Sequence, residues 1–380
     1  MTMPFIPSEK QSTVGVEWEF FLIDPDTREL APYAKDILTD ICPPGKSEHP
    51  QAKTELMKHT VEVVTGICDT AGQAGEDLAK TVSEVRVAAQ KRGLETMCSG
   101  LHPFSRWWDQ ELTEGNTRYN HIVERHKWTA WRLQLVGIHI HVGVDNPAFV
   151  IPILNRVAAD LPYLLALSAS SPYWHGRDTG LASTRDRVFY PASTAGPPPV
   201  LNTWDDYEEV VAGMKASGAI QDLRHLWWDV RPHPDFGTIE IRICDGMSTI
   251  AEISSLTALA QCLIDRYAEQ LKAGYTLDVP RGWVVRENKW RAARYGLDAQ
   301  FLANEQGALV PARDLIAELV DGLLPTANRL SCVDELAGIS RILGTGASYQ
   351  RQRAVAEASG GDLTKVVDHL IIEMRDGLHT

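Results

Sequence analysis

Three pairs of polar residues, each pair split by one intervening position, recur along this chain: Glu17 and Glu19, His139 and His141, and Glu240 and Arg242. In an extended strand successive side chains alternate between faces, so the members of each pair share one. The neighbouring positions are apolar or aromatic: Val16, Trp18 and Phe20; Ile138, Ile140 and Val142; Ile239, Ile241 and Ile243. Carboxylates offer hard oxygen ligands to a divalent cation, and such cations commonly bridge protein carboxylates to phosphates. Imidazoles ligate metals or contact phosphate, and a fixed guanidinium stabilises developing phosphoryl charge. Any one of these strands has an ordinary explanation: an edge strand with alternating Glu, a core histidine, a structural ion pair. Together they predict a sheet whose polar face holds a divalent cation and a nucleotide.

Two further carboxylates, Glu55 and Glu62, lie seven residues apart. That odd spacing would put them on opposite faces of one regular strand, so both can serve one site only with a turn or bulge between them. Glu62 sits among Val61, Val63 and Val64, where a carboxylate needs something to offset its desolvation. Glu55 taken alone reads as a surface residue. Arg231, just before Pro232, is another candidate cation. The chain has no Walker-type phosphate loop, no G-x-G-x-x-G and no nucleophile elbow. A nucleotide here must be held by metals and arginines on a sheet.

The elements that position these residues follow from periodicity. Residues 14–23 read as a strand, stopped by the turn 24–27 with Pro25 and returning through Glu29 and Leu30. Leu78, Val82, Val85 and Ala89 predict a helix over 72–92, ended by Gly93. A short strand follows at 94–99, then a helix at 119–131, the histidine strand at 132–144 and a long buried helix at 147–170. Residues 171–201 are rich in Gly, Pro, Ser and Thr and include Arg177, Asp178, Arg185 and Arg187; a loop of that length tends to be functional. A helix at 206–217 precedes strands at 226–230 and 238–244, and helices are predicted at 250–273, 286–295, 312–323, 327–342 and 363–375. Irregular order with hairpin-like returns implies an α+β fold, a largely antiparallel sheet with helices packed on one face. No repeat or linker divides the chain. We expect one domain over 1–380, sheet-rich to 248 and mainly helical from 249.

At 380 residues, with 44% hydrophobic and 23% charged residues, the composition is that of a soluble globular protein. A net charge of −13 argues against nucleic-acid and membrane-surface partners, which favour basic proteins. The six cysteines are scattered without a C-x-x-C pair, so neither a zinc knuckle nor a dithiol motif is indicated and reduced thiols in the cytoplasm are expected. Residues 1–11 lack the pattern of a signal peptide. The apolar stretch 150–171 is interrupted by Asn155, Arg156 and Asp160, which reads as a buried helix, not a membrane span.

Taken together, these motifs resemble the bacterial carboxylate–amine ligases grouped as glutamate–cysteine ligase type 2. The resemblance runs through the Gly15-Val16-Glu17-Trp18-Glu19-Phe20 opening, residues 56–68 around Glu62, His102-Pro103-Phe104, the strand 137–143, and residues 168–174 with 176–180. It continues through 194–198, Trp228-Asp229-Val230-Arg231-Pro232, 238–245 and 287–296, about 13–375 in all. The E-x-E, H-x-H and E-x-R elements are also similar to those of glutamine synthetases. The resemblance implies the catalytic-domain fold shared by glutamine synthetases and guanido kinases, with ATP and Mg²⁺ (or Mn²⁺). It implies metal ligation by Glu17, Glu19, Glu55, Glu62, His139 and Glu240, and places His141, Arg231 and Arg242 near ATP phosphates or the substrate carboxylate. Arg242, Arg231 and Glu240 are then the catalytic candidates. L-Glutamate and an amine such as cysteine are the implied substrates, and a homodimer the implied assembly. Trp18 departs from the family, where a third acidic residue is common; alternation points it to the reverse face, so the metal site should survive. The rival readings are a guanidino kinase, which would release no phosphate, and a nucleotide sensor without turnover.

Overall fold

In the computed structural model, which describes residues 3–378, the predicted alternation forms one seven-stranded sheet. Its strands are β1 (Val14–Ile23), β2 (Ala52–Thr54), β3 (Thr60–Val64), β4 (Glu95–Met97), β5 (Gly137–Gly143), β6 (Val230–His233) and β7 (Thr238–Asp245). The order is β2-β3-β1-β5-β7-β6, with β4 also paired to β1, and every pairing is antiparallel.

The reverse face is the core. Trp18, Phe20, Ile138, Ile140, Val142, Ile239 and Ile241 are fully buried there, each contributing roughly 1.5–3 kcal/mol of apolar burial. Trp18 points away from the glutamates as alternation requires, and its indole N–H donates to Cys98 Sγ at 3.2 Å. The helices Ala71–Lys91, Val150–Ser168 and Ile250–Lys272 pack behind the sheet. The first is capped by Thr70, whose hydroxyl accepts from Gln73 N, and turns Ala74, Leu78, Val82, Val85 and Ala89 inward. The apolar helix Val150–Ser168 is a core element: Asp160 pairs with Arg156 at 2.9 Å and accepts from Tyr267 Oη at 2.6 Å.

Several elements differ from the sequence reading. The helix expected over 119–131 breaks at Lys127, whose φ is 48°, into Thr117–His126 and Trp128–Trp131. The expected loop 171–201 contains a small hairpin, Tyr173–Trp174 with Arg177–Asp178, and the helix Thr184–Phe189. The strand expected at 226–230 lies instead at 230–233. The helix from Ala312 runs through Pro325 to Leu330, and the break falls at left-handed Ser331 (φ 54°) before Val333–Thr345. The return through Leu30 is a single bridge to Ile23. The helices Ala34–Asp40 and Ser348–Ala358, strand β2 and the hairpin Gln300–Leu302 with Leu309–Pro311 were not anticipated.

Candidate active site

Residues directly opposite in an antiparallel pair share a face, and the register assembles the predicted residues across five strands. Glu17 lies opposite His139, Glu19 opposite Glu62, and Glu240 opposite both His141 and Arg231. Glu62 also faces Lys53 across the β2–β3 pair. Glu55, two positions after Lys53, therefore comes to the same face once the chain turns back. The turn that the odd spacing demanded is residues 55–59. Between β5 and β7 the register slips, Ile140 facing Ile241 but Ile138 facing Cys244. This bulge sets both Arg242 and Ile243 against His139, a device that re-aims a side chain beside a site.

All nine predicted residues line one cavity of about 1220 Å³. Within it the ligand atoms of Glu17, His141 and Glu240 lie within 4.8 Å of one another, as do those of Glu19, Glu55 and Glu62. His139 Nδ1 is 2.8 Å from Glu17 Oε2, and His141 Nε2 is 3.5 Å from Glu17 Oε1. So the imidazole grouped with Glu17 and Glu240 is His141, while His139 adjoins that group through Glu17.

The two ends of the cavity differ in charge. Arg231 Nε donates to Glu240 Oε2 at 2.6 Å and Nη2 to Oε1 at 3.3 Å, while Nη1 donates to the carbonyls of Leu223 and Leu226 at 2.7 and 2.8 Å. Arg242 Nη1 donates to Oε1 of the same carboxylate. Burial raises the Glu240 carboxyl, but Arg231, Arg242 and His141 outweigh this and hold it far below the usual range. Glu17 likewise suffers burial, yet His139 and His141 keep it well below the usual range. At the other end, burial and then the Glu55 charge push Glu19 up to about 8. Burial and the charges of Glu17, Glu55 and Glu19 drive Glu62 well above its ordinary value, and burial raises Glu55. Burial and Arg242 depress His139 to about 4.

The all-carboxylate group fits a divalent cation. Glu19 accepts from the backbone N–H of Gly137 at 2.7 Å and Glu55 from that of Leu56 at 3.1 Å, and Lys53 stands 3.6 Å from Glu62. Among the described residues no Lys or Arg is within hydrogen-bonding distance of these three carboxylates. A hard cation with oxygen preference would supply the charge that Lys53 provides only in part.

Sequence reasoning missed part of the lining. Arg185, noted only as one charge in a presumed loop, is buried beside Glu19, and its guanidinium passes over Gly137, where a Cβ would stand 2.2 Å from Nη2. Arg118 and Tyr119 line the cavity near Glu55. Behind the wall, Lys289 is buried between Asp186 and Asp229, at 2.9 and 2.7 Å, and the Asp229 carbonyl accepts from Arg242 N at 2.8 Å. Only the apolar neighbours of Asp229, Trp228 and Val230, hinted at this group; Lys289 sits among Glu287, Asn288 and Arg291 and gave no signal.

Comparison with known proteins decides the family. The sequence profile of the glutamate–cysteine ligase family 2 (GCS2) matches residues 13–369. The chain belongs to glutamate–cysteine ligase family 2. Relatives in this family include a Frankia alni protein named "Putative glutamate--cysteine ligase 2-1", 49% identical over 99% of this chain and 98% of its own length. A similarly named Thermobifida fusca protein is 46% identical over 99% of this chain and 94% of its own length. Among solved structures, the Francisella tularensis glutamate–cysteine ligase in complex with AMP superposes with a TM-score of 0.71, covering 98% of this chain and 89% of that one, at 11% identity. A bifunctional glutathione synthetase from Pasteurella multocida gives a TM-score of 0.67 over 97% of this chain and 52% of that one, at 14% identity. At such identities the likeness is one of fold, and it agrees with the α+β antiparallel architecture read from the sequence.

Proposed function

We propose that this family member is an ATP- and Mg²⁺-dependent (or Mn²⁺-dependent) carboxylate–amine ligase that forms γ-glutamyl amides, with cysteine as one acceptor, through an acyl phosphate. The observation that carries the reading is the placement of two ligand clusters and two buried guanidiniums on one face of one sheet, inside one cavity. Glu19, Glu55 and Glu62 would hold one ion, and Glu17, Glu240 and an imidazole of His139 or His141 a second. Bound there, the ions supply charge neutralisation and orientation for the triphosphate.

The protein's own contribution is positional and electrostatic. A carboxylate is a poor electrophile and must be activated. An oxygen of glutamate's γ-carboxylate attacks the γ-phosphorus, the bond to the bridging oxygen breaks and ADP leaves. The amine nitrogen then attacks the acyl carbon, releases inorganic phosphate and loses a proton to give the amide. Arg242, fixed by Glu240 and the bulge, stabilises the equatorial oxygens of the transferring group, while Arg231 locks Glu240 in place. The solved relative bound to AMP supports a nucleotide in this fold. The reading makes the protein a cytoplasmic, single-domain enzyme acting on small molecules.

The test is phosphate release from ATP with Mg²⁺, with and without glutamate, across a panel of amines including cysteine, with products identified by mass spectrometry. Release that requires both partners and yields an amide is expected. Nucleotide binding without turnover across the panel would overturn the ligase reading.

A further inference from the structure

The β6–β7 turn carries an aromatic shelf that the scheme above leaves unused. The rings of His233 and Phe236 are stacked, centroids 4.0 Å apart and planes within 6°. His141 lies against both, at 5.7 and 5.9 Å. Both rings line the cavity, yet Phe236 is 62% exposed. The shelf adjoins the end where Arg231, Arg242 and His141 provide cationic and hydrogen-bonding groups, the end suited to phosphates, and lies away from the carboxylate group of Glu19, Glu55 and Glu62.

The turn is held in place. Phe236 N donates to His233 O at 3.2 Å, Ile6 N to Pro234 O at 3.0 Å and Val144 N to Gly237 O at 2.9 Å. Gly237 has φ 65°, and a Cβ there would come within 2.4 Å of the Ile6 carbonyl. A ring fixed this way loses little freedom when a planar ligand stacks on it. An open aromatic face beside a phosphate-binding end matches one part of a nucleotide, its base.

We propose that the His233–Phe236 stack is the platform for the nucleobase of the triphosphate, whose phosphates extend past His141 towards Arg231 and Arg242. The proposal rests on the ATP-dependent ligase reading and adds the residues that bind the base. Stacking tolerates any base, so the shelf supplies affinity and leaves the choice of base to contacts at its edge.

The experiment compares binding of Mg-ATP and Mg-tripolyphosphate to wild-type protein, Phe236→Ala and Phe236→Trp by titration calorimetry. Phe236→Ala should weaken ATP by about 5- to 150-fold, the effect typical of losing one base–aromatic stack, and leave tripolyphosphate unchanged. Phe236→Trp should keep ATP affinity within a few-fold. Equal weakening of both ligands, or undiminished ATP binding by Phe236→Ala, would overturn the proposal. Wild-type protein that binds neither ligand would instead remove the ATP-dependent reading itself, and the shelf with it.

Discussion

Replacing Arg242 with alanine should separate catalysis from stability, because two guanidiniums share one carboxylate. Glu240 is 1% exposed and keeps Arg231 at 2.6 and 3.3 Å when Arg242 is removed. No buried charge is then left unpaired. The loss is one charge-assisted hydrogen bond, about 1.5–3 kcal/mol, partly offset because the two like-charged guanidiniums no longer repel. A fall in Tm of only a few degrees is expected. Turnover should drop by about 10²–10³, roughly 2.7–4 kcal/mol, the effect of deleting one preorganised stabiliser of developing charge. Glu240→Ala is the contrast. It strands Arg231 and Arg242, 7% and 14% exposed, and should cost a further ~3–5 kcal/mol of stability. The assay pairs kcat for phosphate release at saturating substrates with thermal melts followed by circular dichroism. A folded Arg242→Ala protein with kcat within about threefold of wild type would refute the role given to Arg242. Equal destabilisation by the two variants would refute the shared-counterion argument.

Three other outcomes follow from groups elsewhere in the structure. With Glu19 near 8 and Glu62 well above its ordinary value in the metal-free protein, Mg²⁺ or Mn²⁺ binding must release protons; affinity should rise with pH through about 8, and calorimetry in buffers of different ionisation enthalpy should show the release, its absence counting against the site. His102 donates from Nε2 to Arg28 O and accepts at Nδ1 from the N–H groups of Phe104 and Ser105, and burial depresses both His102 and His59 to about 3. The unfolded chain, with histidines near 6.5, takes up protons first, so stability is intact above pH 6.5 and falls towards pH 3 by about 1.4 kcal/mol per unit for each histidine; a flat profile in urea unfolding would contradict this. Lys289→Met leaves Asp229 without its hydrogen-bonded cation and should cost about 3–5 kcal/mol in thermal melts, lowering turnover as well through the Asp229 carbonyl that holds Arg242 N; unchanged Tm and turnover would show the group to be dispensable.

The grouping of the candidate site was legible where it depended on strand alternation. Glu17 and Glu19, His139 and His141, and Glu240 and Arg242 each sit two residues apart, and a period of two survives any reasonable sheet. The same rule sent Trp18 to the core. Glu55 was half legible: its spacing from Glu62 demanded a turn, but nothing local said that a three-residue strand would precede it. Arg185 and Lys289 were hidden for a different reason. Their environments are set by tertiary contacts with Gly137, Asp186 and Asp229, and no local pattern encodes contacts with segments so distant in sequence. The missed helix Ser348–Ala358 presents Arg351, Gln352 and Arg353 in a row, and its N-terminal half is fixed by bonds from Gln350, Arg351 and Gln352 to Asp298, Glu373 and Ser170. The sequence reading split 312–323 from 327–342, with Pro325 in the gap, yet Leu323 and Ala327 on either side are buried, and that packing carries the helix through the missing hydrogen bond.

The N-terminal segment that braces the β6–β7 turn has a bearing on how the protein is prepared. Phe5 packs edge-on against Trp204, the Trp204 indole donates to Met3 O, and Ile6 N and Ser8 N bond Pro234 O and Val144 O. These few residues clamp from outside the turn whose inner side carries Phe236. A version started at residue 9, or one with a bulky fusion pressed against Phe5, would keep its sheet and the carboxylate cluster while loosening the end to which we assign the nucleotide. Affinity tags therefore belong at the other terminus.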